Sequence, residues 1–184
     1  MYSVPSQINR ALFFYLNGFA GASPGVDRLI VFCADTLGFV LFFGLVIFLF
    51  SREHKRQGYD KIITVLAASI LAFGFAELIK YTFPFPRPFA SANGSHQLVG
   101  FDYRWMDSFP SAHAAFFSAL ATAVYFYHKR IGIFFIVGAF VIGVGRVMAG
   151  VHWPIDIAAG FVLGGGIAPC VYFGYISLFG NRKR

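Results

Sequence analysis

Residues 27–50 read DRLIVFCADTLGFVLFFGLVIFLF, and beyond Arg28 the one charged side chain among them is Asp35. About 20 apolar residues are enough to carry a helix across the hydrocarbon core of a bilayer. This stretch therefore reads as a membrane span. Working outward, residues 62–81, 111–127, 131–148 and 155–179 supply four more, the third and fourth spans being short. Residues 6–20 (SQINRALFFYLNGFA) are amphipathic and too short for a comfortable crossing, so they are expected to lie in the interface as a helix. The whole chain is expected to be one all-α integral membrane domain over residues 1–184, a bundle of five to six transmembrane helices with a short amphipathic N-terminal helix. Composition agrees: of 184 residues, 58% are hydrophobic and 12% charged, about half the charged share of a soluble domain.

The net charge of +7 could suggest a nucleic-acid partner, but its distribution excludes that class. Nine of the 15 Lys and Arg fall in three groups: Arg52, Lys55, Arg56 and Lys61; Lys129 and Arg130; Arg182, Lys183 and Arg184. Each adjoins an apolar run, as cytoplasmic loops do under the positive-inside rule. Residues 21–26, 82–110 and 149–154 are then external. The long loop 82–110 opens with Phe83-Pro84-Phe85-Pro86-Arg87-Pro88-Phe89. Its prolines hold the chain extended, and its Phe residues are expected to anchor it among headgroups. Cys33 and Cys170 have no metal-ligand spacing and read as small buried hydrophobes.

Four polar clusters interrupt this apolar chain: Lys80/Arg87, Ser111/His113, Arg146 and His152/Asp156. Charge in or beside a span is costly and usually functional, and span counting puts all four on one side of the bilayer. Taken singly, each has a plain structural explanation. Lys80 could snorkel to the interface beside Glu77, Ser111 could simply cap a helix, and Asp156 could answer a helix dipole. Together they amount to three cations, two imidazoles, a hydroxyl and a carboxylate, a set suited to holding and transferring a phosphate group without a metal. The start of a helix at Ser111 would aim the free amides of Ala112 and His113 at an anion. His152 and Asp156, four apart across another helix start, would let the carboxylate fix one ring nitrogen and leave the other as nucleophile.

Lys80-x6-Arg87-Pro88, Pro110-Ser111-Ala112-His113 and Arg146-x5-His152-x3-Asp156 resemble, in order, the three-part signature of the type 2 phosphatidic acid phosphatase superfamily. That superfamily also includes the vanadium haloperoxidases. The likeness covers roughly residues 75–165. It departs at Ala112, where the family usually has Gly, and at Gly145, where it often has Ser. The resemblance implies that His152 attacks phosphorus to form a phosphohistidine, oriented by Asp156. His113 protonates the leaving oxygen and later activates water. Lys80, Arg87, Ser111, Ala112 and Arg146 bind the phosphate oxygens. No metal and no cofactor is expected, the partners being a lipid phosphate and the bilayer.

The short chain, together with Ile8-Asn9, Asn17-Gly18, Asp27 and Ala34-Asp35, is similar to small bacterial members that act on undecaprenyl diphosphate. That implies hydrolysis on the outer face of the cytoplasmic membrane. Asp35, Glu77 and Arg104 are candidate headgroup contacts, with Asp35 equally able to pair with another helix. His96, Tyr103 and Asp107 are expected to line the same site. Phosphatidylglycerol phosphate, phosphatidic acid and lipid A 1-phosphate stay open as substrates, as does a non-catalytic lipid-phosphate transporter. Oligomeric state is not legible in the sequence.

Overall fold

The structure, a computed structural model, describes residues 6–52, 56–100 and 107–179. Among these it is all-helical apart from one antiparallel bridge between Pro86 and Asp107. Helix α1 is Gln7–Asn17. Helix α2 (Pro24–Val31) runs through a π-helical turn, Phe32–Thr36, into α3 (Leu37–Arg52). Then follow α4 (Arg56–Thr82), the single turn α5 (Pro88–Ser91), α6 (Ala112–Tyr127), α7 (Lys129–Met148) and α8 (Pro154–Phe179).

Four helical rods are long and apolar enough to cross a bilayer: Pro24–Ile47, Tyr59–Thr82, Lys129–Met148 and Pro154–Phe179. With the shorter apolar α6 they account for the five runs read from the sequence. Helix α1 has 11 residues, about 16 Å at 1.5 Å per residue, roughly half of a hydrocarbon core. Its Ile8, Leu12 and Tyr15 are exposed while Asn9, Phe13 and Asn17 are buried. That division suits a helix lying against the bundle at the membrane surface.

Helix α6 is the central post, packed against α4, α7 and α8. It can be central because it is thin: Ala112, Ala114, Ala115, Ala119, Ala121 and Ala123 are all buried. Facing it, α4 presents Ala68, Ala72 and Ala76 at four-residue spacing, all with no exposure. On α8 a side chain at Gly160 would strike the Ser111 carbonyl and Ala114, and one at Gly164 would strike Ser118 and Ala115. Small residues four apart let backbones close up where apolar driving force between helices is absent. The outer surfaces carry the large side chains, including Phe39, Phe43, Ile63, Phe134, Phe140 and Phe173.

Two expectations are corrected. Cys170 is exposed on the outer surface of α8, and Cys33 is half-buried, its Cβ lying against α7 at Gly145. Of the three Phe side chains in the proline segment, Phe83 is exposed and the other two are half-buried. Phe85 packs towards Phe13 and Trp153, and Phe89 towards Ala20, Ile30 and Val151. The segment is pinned inward, since Pro86 O accepts from the Trp153 indole at 3.0 Å and Phe85 O from Ser108 N at 2.7 Å.

Candidate active site

The polar clusters meet at one end of the bundle, where α4 and α7 finish and α6 and α8 begin. Lys80 lies in the last turn of α4 and Arg146 in the last turn of α7. Ser111 is the N-cap of α6, its hydroxyl accepting from Ala114 N at 3.4 Å. Asp156 is in the first turn of α8, and its carbonyl accepts from Ser111 N at 3.0 Å, tying the two helix starts together. A cavity of about 650 Å³ opens here, lined by Phe73, Glu77, Lys80, Tyr81, Arg87, Asp107, Ala112, His113, Arg146 and His152.

His152 is 1% exposed and held on both ring nitrogens. Nδ1 lies 3.3 Å from Asp156 Oδ2, and Nε2 lies 3.2 Å from Arg87 Nη1. A guanidinium can only donate, so Nε2 must carry the lone pair and Nδ1 the proton, which points at the carboxylate. Burial, reinforced by the positive charges of Arg87, Arg146 and Lys80, keeps this imidazole well below its ordinary value and therefore neutral. Asp156 Oδ2 also accepts from Trp153 N at 2.7 Å and from the Ser108 hydroxyl. The result is a neutral imidazole whose Nε2 lone pair faces the Arg87 guanidinium, in a residue that lines the cavity.

The three cations are held differently. Arg87 donates to Val151 O at 2.7 Å, and burial brings its guanidinium down to about 10, still protonated at neutral pH. Arg146 donates from Nη1 to Ala34 O at 3.2 Å, within the π-helical turn, while its buried Nε has no partner among the described residues. An unpartnered buried donor costs on the order of 1–3 kcal/mol, which an anion in the cavity would offset. Lys80 makes an ion pair with Glu77 at 2.7 Å. Gly145, where the resembled family often has Ser, is explained locally: a Cβ there would come within 2.8 Å of Ala34 N and 3.0 Å of Cys33. A bare α7 backbone is what lets Arg146 reach that turn.

Beside the polar cavity lies a second, apolar one of about 390 Å³, lined by Asp35, Gly38, Phe39, Phe42, Ile70, Phe73, His113, Phe116 and Phe117. Phe73 and His113 line both cavities. Asp35 thus stands in the apolar pocket next to the site. Glu77 and Asp107 line the polar cavity itself. His96 does not: its ring lies over Gly21, and its backbone is taken up by Asn17. Arg104 and Tyr103 lie outside the described residues.

Sequence reasoning missed Ser108 and Trp153, and it marked Asn9 and Asn17 for their resemblance alone, giving them no contact. Ser108 carries a faint signal as a hydroxyl just ahead of Pro110-Ser111. Trp153 hides because an aromatic beside His152 reads as an interfacial anchor, whereas its backbone and indole N–H groups both make specific bonds.

Residues 61–176 match the PAP2 superfamily. The bacitracin transport permease protein BcrC of Bacillus licheniformis is 27% identical over 159 residues, covering 86% of this chain and 76% of the relative. An undecaprenyl-diphosphatase of Sulfolobus acidocaldarius is 35% identical over 109 residues, 58% of this chain and 51% of that protein. The crystal structure of Aquifex aeolicus LpxE superposes with a TM-score of 0.77 at 27% identity, covering 94% of this chain and 99% of that one.

Proposed function

This chain belongs to the PAP2 superfamily and is a membrane-embedded phosphatase, and from that premise we propose that it converts undecaprenyl diphosphate to undecaprenyl phosphate through a phosphohistidine on His152. In this reading Nε2 of His152 attacks the terminal phosphorus as the bond to the bridging oxygen breaks. His113 gives that oxygen a proton, so the lipid monophosphate departs. A water then attacks the phosphohistidine, losing its proton to His113, and inorganic phosphate leaves. Asp156 holds the Nδ1 proton and stabilises the imidazolium character that develops. Lys80, Arg87, Arg146, the Ser111 hydroxyl and the Ala112 amide compensate the charge spreading over the equatorial oxygens. No step calls on a metal.

The observation that carries this reading is the junction of the two cavities. His152 and the three cations line one, and His113 and Phe73 line both it and the apolar other. A leaving group protonated by His113 would therefore lie towards the apolar pocket, where a polyprenyl chain can begin. The name of the Sulfolobus relative supports the same substrate. Orientation follows from charge: Lys61, Lys129 and Arg130 occupy the ends of α4 and α7 opposite Lys80 and Arg146. The positive-inside rule turns that end to the cytoplasm and the site outward, in a bacterial cytoplasmic membrane.

The test is phosphate release by the purified protein from a panel containing undecaprenyl diphosphate, phosphatidylglycerol phosphate, phosphatidic acid and lipid A 1-phosphate. The diphosphate should be the best substrate by kcat/KM, and His152→Ala should lose at least about 10³-fold. Faster release from a monoester would reassign the substrate. The Bacillus licheniformis name raises transport as a second reading. Lipid flux across proteoliposomes that survives His152→Ala, with no phosphate released, would establish it. EDTA should leave turnover unchanged, and loss restored by magnesium would overturn the metal-free scheme.

A further inference from the structure

We infer that the buried face of α1 is a positioning bracket for the segment that carries His152, so that turnover depends on a helix lying outside the matched superfamily region. The buried residues of α1 are Asn9, Phe13 and Asn17, one stripe at four-residue spacing, about 12 Å from end to end. Each grips a different point of residues 148–155.

At one end, both Nδ2 protons of Asn17 are used, donated to Met148 O and His96 O at 2.8 Å each, while its Oδ1 accepts from His96 N at 2.8 Å. The chain then turns through Gly150 at φ +79°, where any Cβ would strike the His96 carbonyl. Leu98 N adds a bond to Ala149 O at 3.1 Å. In the middle, the fully buried Phe13 ring packs 4.9 Å from that of Trp153, whose backbone N–H holds Asp156. At the other end, Asn9 Oδ1 accepts from Ile155 N at 3.0 Å, an otherwise orphan donor in the first turn of α8. His152 lies between these grips. Its nucleophilic nitrogen is aimed by the backbone on both sides, and a misplacement of the order of 1 Å can cost about 10²-fold in rate.

The two asparagines act through opposite chemistry, and this makes the inference testable. Asn9 serves as an acceptor, its Nδ2 being without a partner among the described residues, so a carboxylate can replace it. Asn17 is needed as a double donor, so a carboxylate cannot. The full-length protein in vesicles should show Asn9→Asp within about twofold of wild type, with Asn9→Ala and Asn17→Asp lowering kcat about tenfold or more at nearly unchanged KM. Amide hydrogen exchange across residues 148–156 should quicken at least about tenfold in the two impaired variants, with α4 and α6 unaltered.

Wild-type kcat and wild-type exchange in Asn9→Ala would overturn the bracket. Equal damage from Asn9→Asp and Asn9→Ala, or a rise in KM alone, would also do so. If Asn17→Asp loosens the whole bundle, the Asn9 pair decides. The argument rests on His152 being the nucleophile. Were wild type inactive on every lipid phosphate, that reading would fail, while the exchange data would still decide whether α1 clamps the segment.

Discussion

The two sides of the polar cavity are built differently. On the His152 side everything is fixed: His152 is 1% exposed, Asp156 fully buried, and Arg87 and Arg146 bonded to backbone carbonyls of other segments. On the Lys80 side the cation is paired, among the described residues, with Glu77, whose side chain is 33% exposed, and the half-buried His113 lines the apolar pocket. The difference matches two demands. Under the proposed function, a nucleophile at His152 would gain from being held still, whereas a bulky amphiphile would enter and leave past the other wall.

The sharpest way to break that comparison is to loosen the fixed side without removing the nucleophile. Asp156→Asn can present an amide N–H towards Nδ1, favouring the wrong tautomer and placing the proton on Nε2. It should cost about 10²-fold or more in kcat with little change in KM. Ser108→Ala removes one of the three donors to the same carboxylate oxygen while leaving Trp153 N and His152 in place. Its cost should be about tenfold, one lost hydrogen bond to a charged group. If both substitutions acted on KM instead, the fixed wall would be a binding surface and the contrast would be misdrawn.

On the open wall the expected effect is smaller and falls on substrate choice. Ile70 lines the apolar pocket and is absent from the polar one. Ile70→Trp should fill the pocket, raising KM about tenfold for a long-chain lipid phosphate and leaving a water-soluble short-chain phosphate unaffected. About ten- to two-hundredfold is the range that apolar pocket contacts command. Equal loss on both substrates would mean the apolar pocket is not where the chain goes.

These two walls were unequally legible in the sequence. The spans could be read because an apolar run of about 20 residues has few other uses. Lys80, Arg87, His113, Arg146, His152 and Asp156 could be singled out because charge in such a setting is conspicuous, and the structure gathers them at one end of the bundle. What holds them was not readable. Ser108 meets Asp156 across 48 residues, and Asn9 meets Ile155 across 146; a serine or asparagine near a loop has no pattern that names a partner so distant. Alternating Phe and Pro residues likewise could not say which face turns inward, so Phe85 and Phe89 read as lipid anchors although they pack inside. The second cavity was illegible as well, being a gap left between side chains of α3, α4 and α6.

The smallest predicted effect concerns acid. In the proposed mechanism a neutral imidazole attacks phosphorus and a protonated one does not, so the ionisation of residue 152 would set an acid limit on the free enzyme. An ordinary histidine, near 6.5, would be about half protonated at that pH and nine-tenths protonated one unit below. Burial and the surrounding cations lower this histidine well beneath that value, so the limit moves to lower pH. The imidazole resonance assigned to residue 152, identified by its loss in His152→Ala, should therefore still be mainly in the neutral position at pH 6.5 in the phosphate-free protein. Any part of the acid limb of kcat/KM that belongs to it should lie below 6.5. Arg87→Gln removes the charge nearest Nε2, so the same resonance should then titrate at higher pH. A resonance that titrates at 6.5 or above in the wild type would mean that water reaches the nucleophile, and the two walls would differ less than their geometry implies.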